Sequence, residues 1–93
     1  MPRRRAIQAV EAPIWLAVLL DYSFSEKSAQ RAARLDLLGI AHDATAYSDD
    51  IPGWRLAELL LRWAEQYVPA EDWKRLQARV RKRRQPLEVI ENG

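Results

Sequence analysis

The sequence predicts an all-α protein, a compact antiparallel bundle of four to six short helices, and three observations carry that prediction. Apolar residues recur at helical spacing, most clearly from Trp54 to Val68. Helix start and stop signals punctuate the chain at intervals of one helix length, among them Ser23-Phe24-Ser25-Glu26, Gly39, Ile51-Pro52-Gly53 and Pro69. The composition is that of a small folded domain, with 48% hydrophobic and 30% charged residues in 93, only three glycines and five prolines. A chain of this length buries enough surface for one core and no more. A single domain over 1–86 with a tail over 87–93 is expected.

Pro13 is suited to the first turn of a helix, where its missing N–H would have no partner anyway, and the run Ile14 to Leu20 is apolar on every side. This segment, from Pro13 to about Tyr22, is expected to be the central helix, with a break between it and any helical turn in residues 3–12. Ser23 and Glu26 form a capping box for a second helix, which runs through Ala29, Ala32, Ala33, Leu35 and Leu37-Leu38. Gly39 is expected to close it in the left-handed conformation, with Ile40 folding back. Ala41 to Tyr47 then leaves room for a short helix or a compact loop. Asp49 or Asp50 is expected as the N-cap of the next helix, with Pro52 in its first turn. On that helix Trp54, Ala57, Leu61, Ala64 and Val68 make one stripe, widened by Leu60, Trp63 and Tyr67, and Glu58 stands four residues before Arg62. Pro69 ends it. Glu71 and Asp72 open a last helix at its positive end, Trp73, Leu76 and Val80 mark its buried face, and it is expected to stop before Pro86. Leu87, Val89 and Ile90 alternate with acids and could dock as a short strand.

The net charge of +2 conceals an asymmetry. Residues 1–10 sum to +3 through Arg3, Arg4 and Arg5, residues 11–72 to −6, and residues 73–93 to +5. An acidic body with basic ends allows the basic end of one molecule to meet the acidic body of a partner or another copy, and equally allows a basic arm on a polyanion. The absence of cysteine excludes disulfides, thiolate zinc sites and a cysteine nucleophile, and fits a cytoplasmic protein. Arg3 to Arg5 before an apolar run imitate a secretory signal, but Glu11 and Pro13 interrupt it and no small-x-small cleavage site follows. The seven apolar residues of Ile14 to Leu20 are too few to span a bilayer.

Little in the chain suggests catalysis. His42, the only histidine, could be set with Asp43 and Ser23, Ser25 or Ser48 on paper, as any histidine could. Asp49-Asp50 has too few neighbouring oxygens for calcium and reads as a cap. No metal, cofactor or catalytic residue is expected. A helix-turn-helix centred on Gly39 would require small or apolar residues where Arg34, Leu35 and Thr45 stand. The run Arg79 to Arg84 suits phosphate, but it equally complements the helix dipole, and no aromatic residue interleaves it. Of the four tryptophans, most are expected in the core, with Trp54 partly exposed.

The stretch Ile51-Pro52-Gly53-Trp54-Arg55-Leu56-Ala57-Glu58-Leu59-Leu60-Leu61-Arg62-Trp63-Ala64-Glu65-Gln66, followed by Trp73-Lys74-Arg75-Leu76, resembles the bacterial effector-associated domains. Leu19-Leu20-Asp21-Tyr22 with Phe24, and Leu35 to Leu38 before Gly39, extend the likeness more loosely to about two thirds of the chain. The turn Tyr67-Val68-Pro69 departs from the glycine turn of that family. The resemblance implies a death-fold-like helical adaptor that assembles effector complexes in prokaryotic conflict systems, without catalysis.

The expected function is therefore a non-enzymatic protein–protein interaction module whose partner is another protein or a second copy of the chain. Arg75, Arg79, Arg81 and Lys82 would meet an acidic patch of Asp43, Asp49, Asp50 and Glu58, with Trp54 as an apolar contact. Two alternatives stand beside it: a small nucleic-acid-binding regulator gripping phosphates with Arg3, Arg4, Arg5, Arg83 and Arg84, and a phage or mobile-element inhibitor docking on a host protein.

Overall fold

The computed structural model describes residues 6–22, 27–46 and 51–92, and the side chains of these except 27–29 and 85–92. The protein is all-α. A 3-10 turn, Ala9–Glu11, leads into α1 (Ala12–Leu20), followed by α2 (Lys27–Ala46), α3 (Gly53–Tyr67) and α4 (Ala70–Asn92). No strand occurs among the described residues.

The apolar wrapping of α1 places it at the centre, where it packs against α2, α3, α4 and the 3-10 turn. Pro13 lies in its first turn, and Ala12, Trp15, Val18 and Leu19 are almost wholly buried. Helix α4 docks chiefly on α1, and a ring stack holds it there: Trp15 and Trp73 lie 4.5 Å apart between centroids with an interplanar angle of 18°. Leu76 and Val80 bury the next two turns of the same face. Two long-range polar contacts tie α3 to α2. The buried Trp63 Nε1–H donates to the carbonyl of Ala33 at 2.8 Å, and Tyr67 Oη donates to Asp36 Oδ2 at 2.6 Å. Trp15, Trp63 and Trp73 are core, whereas Trp54 is 62% exposed, as its position at the start of α3 beside Arg55 suggested.

Three boundaries differ from the sequence expectation, each for a local reason. Gly39 does not end a helix: α2 runs on to Ala46, and no glycine among the described residues has positive φ. Ala33, Leu37, Ile40 and Ala44 form one continuous buried or half-buried stripe through the glycine. Burying that stripe outweighs the roughly 1 kcal/mol that a mid-helix glycine costs. The segment from Ala41 is thus the last turn and a half of α2. Second, the N-cap of α3 is Pro52, in extended conformation, with no side-chain cap bond; its carbonyl accepts from the N–H groups of Arg55 and Leu56 at 2.9 and 3.1 Å. The expected caps Asp49 and Asp50 lie outside the described residues, as does the Ser23–Glu26 capping box. Third, α4 passes through Pro86 to Asn92 instead of stopping before it. The proline removes one backbone donor, but strong helix formers flank it on both sides, Arg81 to Gln85 before and Leu87-Glu88 after.

Candidate protein-interaction surface

The positive surface belongs to α4. Its first turn carries Glu71 and Asp72, which favour the positive end of the helix dipole, and cations follow from Lys74 onward. With Trp73, Leu76 and Val80 turned to α1, the opposite side of the helix presents Lys74, Arg75, Arg79, Arg81 and Lys82, all exposed. Arg75 bonds Asp72 within its own turn. Lys74, Arg79, Arg81 and Lys82 have no ion-pair partner among the described residues.

Arg83 and Arg84 behave differently. Arg83 reaches Asp21 Oδ2 at the end of α1 over 3.2 Å, and Arg84 reaches Glu11 Oε2 just ahead of α1 over 3.1 Å. These two of the five arginines that the sequence offered to phosphate are therefore turned toward carboxylates of the same chain. Arg3, Arg4 and Arg5 lie outside the described residues.

A groove of about 530 Å³ opens between the end of α1 and α4, lined by Asp21, Tyr22, Asp72, Arg75, Leu76, Ala78 and Arg79. Tyr22 is 8% exposed and donates its hydroxyl to Asp72 Oδ2 at 2.5 Å, while Arg75 donates to the other oxygen, Oδ1. Burial, reinforced by the hydrogen bond to Asp72 and its negative charge, pushes the Tyr22 hydroxyl up to about 12. The Tyr22 bond, and then the Arg75 bond, hold the Asp72 carboxyl below the usual carboxylate range, and Asp72 raises Arg75 in turn. Sequence reasoning missed Asp21, Tyr22 and Glu11 as partners of α4. Fifty residues separate Tyr22 from Asp72, and no local pattern signals the pairing.

The expected acidic partner surface is less unified. Asp43 is on α2, its Oδ1 3.4 Å from Nδ1 of the adjacent His42, and both are well exposed. Glu58 is on α3 and its Oε1 lies 3.1 Å from Arg55 and 3.0 Å from Arg62, so its charge is already balanced on both sides. Glu58 and Trp54 do share a groove of about 350 Å³ against the N-terminal segment, with Ile7, Ala57 and Leu61. Val10, in the adjoining 3-10 turn, is 69% exposed. A second exposed apolar pair, Leu35 and Leu38, stands on α2 at 64% and 54%.

His42 pairs with its neighbour Asp43, and Ser23, Ser25 and Ser48 lie outside the described residues. No group of three His, Asp or Glu among the described residues is placed to hold a metal ion. No helix among them is long and apolar enough to cross a membrane. Comparison of the chain with protein-family models, with curated proteins and with solved structures finds no match.

Proposed function

We propose that this chain is a non-enzymatic protein–protein interaction module whose contact surface is the outward face of α4. The observation that carries the reading is the set Lys74, Arg79, Arg81 and Lys82, four exposed cations along one helix with no carboxylate within ion-pair distance among the described residues. Such a surface accelerates encounter with an acidic one and selects against basic partners. The partner surface is acidic, either on another protein or on a second copy, where Asp43 is an exposed carboxylate. Away from α4, Trp54, Val10, Leu35 and Leu38 are exposed and offer apolar area to a partner. In this reading the helices form an antiparallel bundle that acts in the cytoplasm as an adaptor, in the manner of the bacterial effector-associated domains that the sequence resembles. Phosphate binding is the weaker reading, because Arg83 and Arg84 are engaged by Asp21 and Glu11.

Light scattering coupled to size exclusion, over a wide concentration range at low and moderate salt, tests the homotypic form. A mass that rises with concentration, falls with salt and returns to the monomer in the Arg79→Glu, Lys82→Glu double variant supports it. A monomer throughout sinks homotypic assembly and leaves a foreign acidic protein as the partner. Retention of a DNA or RNA fragment with a steep salt dependence overturns the protein-interaction reading in favour of the nucleic-acid one.

A further inference from the structure

Arg75, Arg79 and Arg83 stand at i, i+4 and i+8 on α4, so they follow one another along the flank that faces the end of α1. The outer two are held. Arg75 bonds Asp72 Oδ1, and Arg83 bonds Asp21 Oδ2. Arg79, between them, lines the same groove as Asp21 and Asp72 and has no ion pair among the described residues. Both oxygens of Asp72 already accept a hydrogen bond, Oδ2 from Tyr22 and Oδ1 from Arg75. Asp21 and Asp72 are each bonded to another arginine, Arg83 and Arg75, so Arg79 is the arginine of the groove wall that no carboxylate engages among the described residues. Its floor is apolar, formed by the buried Leu76 and Tyr22, and the small Ala78 leaves its wall open.

We infer that this groove is a receptor for a single carboxylate carried beside an apolar side chain: Arg79 grips the acid of an acidic peptide segment, and its neighbour packs on Leu76 and Tyr22. This deepens, and rests on, the reading of α4 as a protein-binding surface by naming the anchor and what it takes. A guanidinium offers five N–H donors in a fork that fits a carboxylate, and Arg75, which gives one donor to Asp72, has others left to share the ligand. The volume of about 530 Å³ accommodates a few side chains. A phosphodiester backbone suits the groove less well. Asp21, with its side chain 62% exposed, and Asp72 line the groove and disfavour a row of closely spaced phosphates.

Titration of the isotope-labelled full chain followed by nuclear magnetic resonance tests this, with N-acetyl-Leu-Glu-Leu-amide as the probe. The Glu peptide is expected to shift the Tyr22, Leu76 and Arg79 signals saturably. The isosteric Leu-Gln-Leu peptide, and the Glu peptide on Arg79→Gln, are each expected to bind about tenfold more weakly, the loss of one charge-assisted contact. Arg34→Gln, an exposed cation of α2 away from the groove, is expected to bind as the parent does, and the melting point of Arg79→Gln is expected to stay unchanged. Equal binding of the Gln peptide, full binding by Arg79→Gln, or displacement of the Glu peptide by an equal concentration of inorganic phosphate overturns the proposal. No saturable binding of the Glu peptide, with salt-sensitive association of the full chain retained, overturns the groove while leaving the interaction surface of α4 standing.

Discussion

Gly39 provides the sharpest test of the fold, because two descriptions of it predict opposite signs for one methyl group. If the glycine ended a helix in the left-handed conformation, alanine there would be strained and the variant less stable. In the structure Gly39 is interior to α2, its φ is negative, and a Cβ built on it meets nothing within 4 Å. Nothing then opposes the gain in helix propensity, which is about 0.5 to 1 kcal/mol for Gly→Ala in a helix interior. For a domain of this size each kcal/mol moves the melting temperature by about 4 to 8 °C, so Gly39→Ala is expected to melt about 2 to 8 °C higher. Thermal unfolding followed by far-ultraviolet circular dichroism measures it directly. Gly53→Ala is the internal control. At the first position of α3 the added Cβ would sit 2.9 Å from the carbonyl oxygen of Ala9, a backbone atom that no rotamer change can move away. The 3-10 turn must shift, at a cost on the order of 1 to 3 kcal/mol, and the variant is expected to melt lower than the parent. A lower melting temperature for Gly39→Ala would refute the continuous α2, whatever Gly53→Ala does.

Tyr22→Phe deletes the hydroxyl that joins α1 to Asp72 and is expected to cost about 1 to 2 kcal/mol in urea unfolding, after allowing for the partial exposure of Asp72; an unchanged midpoint would refute the clamp. The same pair sets both limbs of the stability–pH curve. Tyr22 keeps its proton more tightly when folded, so its contribution is complete below pH 10 and lost as the pH rises toward about 12, and Tyr22→Phe should lack that alkaline loss. Asp72 is shifted the other way, so its contribution is present above the ordinary carboxylate range and lost as the pH falls through its lowered folded value; Asp72→Asn should flatten that acid limb. Trp63→Phe removes the Nε1 bond to the Ala33 carbonyl together with part of a buried ring, for a loss of about 1 to 3 kcal/mol, and equal stability would place that ring outside the core. Trp15→Ala is expected to lose about 3 to 5 kcal/mol by breaking the stack on Trp73, whereas Trp54→Ala should lose less than about 1 kcal/mol; equal losses would refute the division between core and surface tryptophans.

The parts of this fold that can be read from the chain are those that periodicity encodes. The stripe on α3, the apolar wrapping of α1 and the Trp73, Leu76, Val80 face of α4 each repeat at helical spacing, and most of their residues are buried, with Leu61 and Tyr67 among those only partly so. The solvent position of Trp54 was legible for a different reason, since it opens its helix beside a charge. Punctuation was less reliable than periodicity. Gly39 and Pro86 carry strong local stop signals, yet α2 and α4 run through both, because the cost of a glycine or a proline is finite and a neighbouring stripe or propensity can exceed it. Of the polar contacts, the local pair Glu58–Arg62 was legible and the long-range ones were not. Tyr22 with Asp72, Tyr67 with Asp36, Arg83 with Asp21 and Arg84 with Glu11 are set by how helices dock, and their sequence separations run from 31 to 73 residues.

Those unforeseen contacts also change how the positive charge of the C-terminal segment is understood. As a string of residues, Arg75 to Arg84 is uniformly basic, which suits any polyanion. Folded against α1, it divides. Arg75, Arg83 and Arg84 are committed to carboxylates of the same chain, whereas Lys74, Arg79, Arg81 and Lys82 have none among the described residues. The committed arginines bring Asp21 and Asp72 to the edge of the face that the uncommitted ones present. A surface on which cations alternate with fixed carboxylates discriminates between partners by geometry, because an anion must land on Arg79 and avoid Asp21 and Asp72. Uniform polyanions meet that condition poorly, and a protein segment with one acid placed beside an apolar side chain meets it well. On the proposed reading, selectivity for protein over nucleic acid would arise from the two aspartates as much as from the arginines, and neutralising Asp21 is expected to broaden the range of anions bound.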